Sequence, residues 1–199
     1  MIPRRTLLGL AIVFEGGLFA LAMVLGWWLD LRFWETLSFG ASLAPLTIGL
    51  TLPVLLAAVL LERAPLAMGR QIRDDFHLVV RMFKGFAIWE LALVSLLAGV
   101  GEEALFRGVL QPYLGGFMTP WLALLIASVA FGVAHSVSQA YTIFATIVGL
   151  YLGAIVLVLD DLALAAAIHA LYDFTALTYG VKVLLPKLEA ATALDQNTA

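Results

Sequence analysis

A chain of 199 residues that is 63% hydrophobic and only 13% charged, with a mean hydropathy of +1.03, lies far outside the range of soluble domains and reads as an integral membrane protein. A net charge of -3 gives no basis for a nucleic-acid partner. The absence of cysteine excludes disulfides, thiolate metal ligands and a cysteine nucleophile.

In chain order, six apolar stretches long enough to cross about 30 Å of hydrocarbon are predicted at about 6–29, 43–61, 85–114, 120–138, 141–159 and 162–185. The fold class expected is therefore all-α, a polytopic transmembrane bundle of about six spans with its active site inside the membrane. The start, MIPRR and an apolar run, has features of a signal peptide, and Ala20-Leu21-Ala22 resembles a cleavage site. The run continues to Leu29, however, so an uncleaved first helix is expected. Residues 62–84 form the one long polar connection, rich in arginine, and are placed in the cytoplasm by the positive-inside rule. Arg4, Arg5, Lys182 and Lys187 agree with that, so both termini are expected on the cytoplasmic side. Trp27, Trp28, Trp34 and Trp121 fall at the opposite ends of the spans, as interfacial aromatics do. The third stretch, at about 45 Å of helix, is too long for the hydrocarbon and must tilt, break or leave it, with Gly99, Gly101 and Gly108 as points of bending or close packing. The tail ATALDQNTA is polar and expected to fray. The division expected is residues 1–84 as an N-terminal pair of spans with its loop, 85–185 as the catalytic helices, and 186–199 as the tail.

Charges inside hydrocarbon are expensive, so each needs a partner, a water-filled cavity or a role. Within GEEALFRGVLQPYL, residues 101–114, Glu103 and Arg107 are four apart on one helical face, with the acid on the favourable N-terminal side. Glu102 is rotated about 100° from Glu103, so it points elsewhere and lacks a partner in its own helix. Two histidines lie deep in later spans, His135 in FGVAH and His169 in HALYD, four residues after Phe131 and four before Asp173 respectively. Glu102 precedes Gly115 by 13 residues and His135 follows Pro120 by 15, giving matching depths of roughly 20 and 22 Å. His169 and Asp173 fall at roughly 12 and 18 Å from Asp161. Glu102, His135, His169 and Asp173 are thus expected to meet in mid-membrane.

That set is competent for hydrolysis in two ways. A glutamate can act as general base on a water shared with a histidine, while the second histidine faces the oxyanion. Alternatively Glu102, His135 and His169 are of the types that hold a zinc with an open water position. There is no HExxH, which excludes a zincin arrangement on one helix. Ser128, Ser136 and Ser138 lack the turn that surrounds a serine nucleophile. Phe131 is read as packing, Glu90 as a snorkelling acid at the interface, and Glu15, halfway along the first span, as an intramembrane acid outside these motifs.

EEALFR, FGVAH and HALYD together resemble the EExxxR, FxxxH and HxxxN-type motifs of the CPBP intramembrane proteases, which include Rce1-type CAAX prenyl endopeptidases and bacterial proteins linked to bacteriocin self-protection. The resemblance covers about residues 85–178 and implies that Glu102 and His135 activate the water, that His169 and Asp173 stand at the oxyanion or metal side, and that Glu103 and Arg107 support them. It also implies an endopeptidase acting on a membrane-associated peptide or protein, in a bacterial inner membrane. Prenylated CAAX substrates belong to the eukaryotic branch and are not implied for this chain. Asp173 stands where the family has Asn; ionised, it only accepts hydrogen bonds, so orienting His169 is its expected task. Two other classes stay open: a non-proteolytic immunity or scaffold protein, and a small proton-coupled transporter using the same polar cluster. Oligomeric state is not set by these residues.

Overall fold

The computed structural model describes residues 3–198, with side chains through 191. Every regular element among the described residues is helical. Helix α1 is Arg4–Trp28, followed by a short 3-10 turn, Phe33–Thr36; α2 is Leu43–Arg63 and α3 is Ala67–Met82. Helix α4, Ile88–Glu103, runs on through a π-helical segment, Ala104–Leu110, into α5, Gln111–Gly115. Then come α6 (Pro120–Ala134), α7 (Gln139–Leu159) and α8 (Leu162–Tyr179), which continues through a second π-helical turn, Gly180–Leu184, into α9 (Leu185–Thr198).

The chain is an all-helical membrane bundle. By length and composition α1, α2, α7 and the helix beginning at α8 are long and apolar enough to cross a membrane. Of the remaining two predicted stretches, the third carries Glu90, Glu102, Glu103 and Arg107 along its length, and the fourth is shorter than expected. Its helix stops at Ala134 because Ser138 opens α7: the Ser138 hydroxyl accepts the Tyr141 N–H and donates to Asp75 of α3. Trp27, Trp28, Phe117 and Trp121 are all exposed at one end of the bundle, where lipid-facing aromatics belong.

Residues 62–84 differ from the polar loop read from the sequence. Most of them form α3, an amphipathic helix whose Ile72 and Val80 are buried. Val80 joins Phe86 before α4, Leu91 and Val94 of α4, Leu177 of α8, Val181 of the second π-helical turn and Leu185 of α9 in one apolar cluster. The 3.6-residue spacing of Ile72, Phe76, Val79 and Val80 was masked by the arginines on the other face. The predicted fraying of the tail falls partly outside the described residues; the backbone is helical through Thr198.

The core of the bundle is the packing of α4 against α8 and α1, with α6 against α7 beside it. Glycine makes this possible without a bend. A Cβ on Gly99 would lie 2.6 Å from the Ala166 carbonyl of α8, and one on Gly101 would lie 2.5 Å from the Glu15 carbonyl of α1. Tight turns fix the order of the later helices. Asp160 ends α7 in the left-handed region at φ 52°, and Asp161 caps α8 by accepting the Leu164 N–H, so the reversal takes two residues.

Glu90 is not the snorkelling acid expected. It is buried, receives the Ala87 N–H at 2.7 Å, and accepts two bonds from Arg4 at 2.9 and 3.0 Å, tying the start of α1 to the start of α4. Arg4→Met is therefore expected to lower the melting temperature in detergent, whereas the neighbouring exposed Arg5→Met leaves it unchanged; equal effects would remove the pair from the account of stability.

Candidate active site

The site lies where the end of α4, the end of α6 and the middle of α8 meet. Glu102 is on the last turn of α4 and is buried. Its Oε2 stands 3.2 Å from His135 Nε2 and 3.9 Å from His169 Nε2. His135 terminates α6 and its side chain is 26% exposed, so the site opens on that side. Both imidazoles commit their other nitrogen elsewhere. His135 Nδ1 is 2.8 Å from the Phe131 carbonyl, and since a carbonyl only accepts, Nδ1 carries the hydrogen. His169 Nδ1 donates in the same way to Glu103 Oε1 at 2.8 Å. Each Nε2 is therefore the nitrogen turned towards Glu102.

Glu103 does two things at once. Its Oε1 accepts from His169 and also from Arg107 Nη1 at 2.9 Å, and both side chains of this ion pair are fully buried. Arg107 then donates from Nη2 to the Gly149 carbonyl of α7 at 3.1 Å, and Gln111, four residues on, donates to the Gly153 carbonyl at 3.1 Å. The π-helical segment thus lays a polar edge along two stacked glycine carbonyls of α7. The guanidinium also lies over the Phe131 ring at 4.2 Å, and Phe131 packs edge-on to Phe106 and against His135. Phe131 is packing, as expected, but packing that touches both the ion pair and a histidine.

Asp173 stands 3.7 Å from His169 Nε2, beyond hydrogen-bond length, and is about one-third exposed. The orienting bond that the sequence suggested for Asp173 belongs to Glu103. The reason is rotational: Glu103 on α4 faces α8 directly, while Asp173 lies a turn past His169 and reaches only its outer nitrogen. Tyr172, which sequence reasoning missed, stacks on the His169 ring with centroids 4.9 Å apart and planes 11° apart. An aromatic residue adjacent to Asp173 in an apolar helix gave no signal of that contact. The serines are occupied by structure: Ser128 donates to the Leu124 carbonyl, and Ser136 accepts from Thr142.

Comparison with protein families shows what this arrangement is similar to. Residues 84–175 match the family described as Type II CAAX prenyl endopeptidase Rce1-like. The stretch that carries the site is similar to the Rce1-like family. The matched stretch contains Glu102, Glu103, Arg107, Phe131, His135, His169 and Asp173, and the family is one of CAAX-type intramembrane endopeptidases. Comparison with curated proteins and with solved structures gives no match.

The donor types Glu102, His135 and His169 are those of a zinc site. As placed, no group of three or more His, Asp or Glu side chains among the described residues is spaced to hold a metal ion. A cavity of about 460 Å³ lies away from this chemistry, between α2 and α7, and is walled by Val54, Leu61, Phe144 and Tyr151 among others.

Proposed function

We propose that this Rce1-like chain is an intramembrane endopeptidase in which Glu102 and His135 activate a water and His169 stabilises the oxyanion. The observation that carries the reading is the pairing of the Glu102 carboxylate with two Nε2 atoms, at 3.2 and 3.9 Å, whose partner Nδ1 atoms are already donating. Glu102 Oε2 and His135 Nε2 are in direct contact, so the water sits beside the pair, donates to the carboxylate and presents its oxygen to a substrate carbonyl. Attack forms the C–O bond while Glu102 takes a water proton. The carbonyl oxygen gains the negative charge, which His169 receives through an Nε2–H when doubly protonated. Collapse restores the carbonyl and breaks the C–N bond, and the proton held by Glu102 passes to the departing amine. Asp173 stands beside the same Nε2, on the exposed side of the His169 ring.

The substrate is a membrane-associated peptide or protein, since the site is reached among lipid-facing helices. Both termini on the cytoplasmic side of a bacterial inner membrane fit the placement of arginine and lysine. The test is cleavage of a membrane-associated peptide library and of a farnesylated peptide ending in a CAAX tetrapeptide by purified wild type and His135→Ala, with and without a chelator. Cleavage by wild type alone supports the reading, and a chelator that leaves it intact supports acid–base chemistry without zinc, whereas inhibition reversed by added zinc restores the metal alternative. If wild type cleaves nothing, the immunity, scaffold and transporter readings replace this one.

A further inference from the structure

The family match begins at residue 84 and so says nothing of α1, yet α1 reaches the site. Its backbone touches α4 one residue before Glu102, where a Cβ on Gly101 would lie 2.5 Å from the Glu15 carbonyl. The Glu15 side chain is half-buried, and its Oε2 is buried without a hydrogen-bond partner among the described residues. The charged groups close enough to act on it electrostatically are those of the site: Glu102, His169, Asp173 and His135. For helix packing this is a poor choice, because two of those neighbours are carboxylates and a buried acceptor without a donor is costly. Such a group is explained when a ligand brings the donor.

We propose that Glu15 is a substrate-binding residue, its carboxylate accepting a hydrogen bond from a main-chain N–H of the bound peptide. The proposal rests on the endopeptidase reading and gives it a second wall: α4, α6 and α8 carry the chemistry, and α1 holds the peptide across it. An extended peptide has one N–H per residue and few ways to satisfy it inside a membrane protein, so an unpartnered acceptor on this wall selects for backbone rather than for a particular side chain.

The experiment uses the full chain in nanodiscs, with empty nanodiscs as blank, in a Glu102→Gln background so that the probe survives titration. The probe is a fluorescein-labelled, farnesylated peptide ending in a CAAX tetrapeptide. Glu15→Gln keeps an acceptor and should hold the Kd within about threefold, whereas Glu15→Met, of similar length but without one, should weaken it by about tenfold or more. Equal weakening in both variants, or none in Glu15→Met, overturns the proposal. A second series replaces single main-chain N–H groups of the probe by ester oxygens. One position should weaken binding to the protein carrying Glu15 and leave Glu15→Met unaffected, a difference that a change in folding does not produce; if no position does so, the proposal falls. Binding without cleavage by wild type would overturn the endopeptidase reading alone, cleavage with Glu15→Met binding unchanged would overturn the Glu15 role alone, and failure of every peptide to bind would overturn both.

Discussion

Glu102→Gln is expected to abolish cleavage while leaving the protein about as stable as wild type. General acid–base groups contribute about 10²–10⁴ in rate, and Glu102 is the carboxylate that both Nε2 atoms face, so a loss in kcat of that order should follow. Stability should change little because Glu102 Oε2 is buried, makes no hydrogen bond among the described residues and is met only by the two imidazoles at 3.2 and 3.9 Å. A neutral amide removes the desolvation penalty of the carboxylate and gives up its attraction to those rings, and the two effects oppose each other. Rates and thermal unfolding in detergent, measured on the same preparation, check both halves. An inactive variant with a sharply lowered melting temperature would mean that Glu102 is part of the scaffold and that the base must be sought elsewhere.

Glu103→Ala, one residue along, should lower stability and also harm the chemistry. It strands Arg107, whose side chain is fully buried, and releases His169 Nδ1. Breaking a buried ion pair by removing one partner costs about 3–5 kcal/mol, enough to unfold much of a marginal protein. Activity should fall even at temperatures where the variant is folded, since His169 loses the bond that sets its ring. Glu103→Gln, which retains an acceptor for both donors, should recover part of each loss. If Glu103→Ala melts like wild type, the His169–Glu103–Arg107 chain does not hold the bundle together.

These two neighbours show what the sequence could and could not reveal. Their separation of about 100° around the helix was enough to assign Glu103 to Arg107 and to leave Glu102 for the histidines. Residue counting along the spans also put Glu102 and His135 at one level, because rise per residue in a helix is nearly constant, but it set His169 several ångströms from them. What stayed hidden depends on rotation and contact between helices. That Glu103 rather than Asp173 grips His169, that Tyr172 stacks on it, and that the backbone of α1 at Glu15 packs against Gly101, one residue before Glu102, are facts of tertiary packing. Local spacing carries no trace of them. Helix α3 was obscured for a different reason: five basic residues in and around it outweighed a regular apolar stripe in a reading tuned to membrane spans.

The π-helical segment between Ala104 and Leu110 makes the active-site helix sensitive to number as well as to identity. The Gln111 N–H reaches back five residues, to the Phe106 carbonyl, so the helix leaves the segment one residue out of phase with the way it entered. Glu102 and Glu103 are set by the phase before this slip and Gln111 by the phase after it, and both must be right for the polar edge to meet the carbonyls of Gly149 and Gly153. Deleting one residue there would restore an ordinary α-helix and leave the flanking turns near their present phase, whereas the same deletion in the regular helix on either side would turn everything beyond it by about 100°. The segment therefore behaves like an absorbed insertion, the one stretch of this helix that can lose a residue without misaligning its two ends.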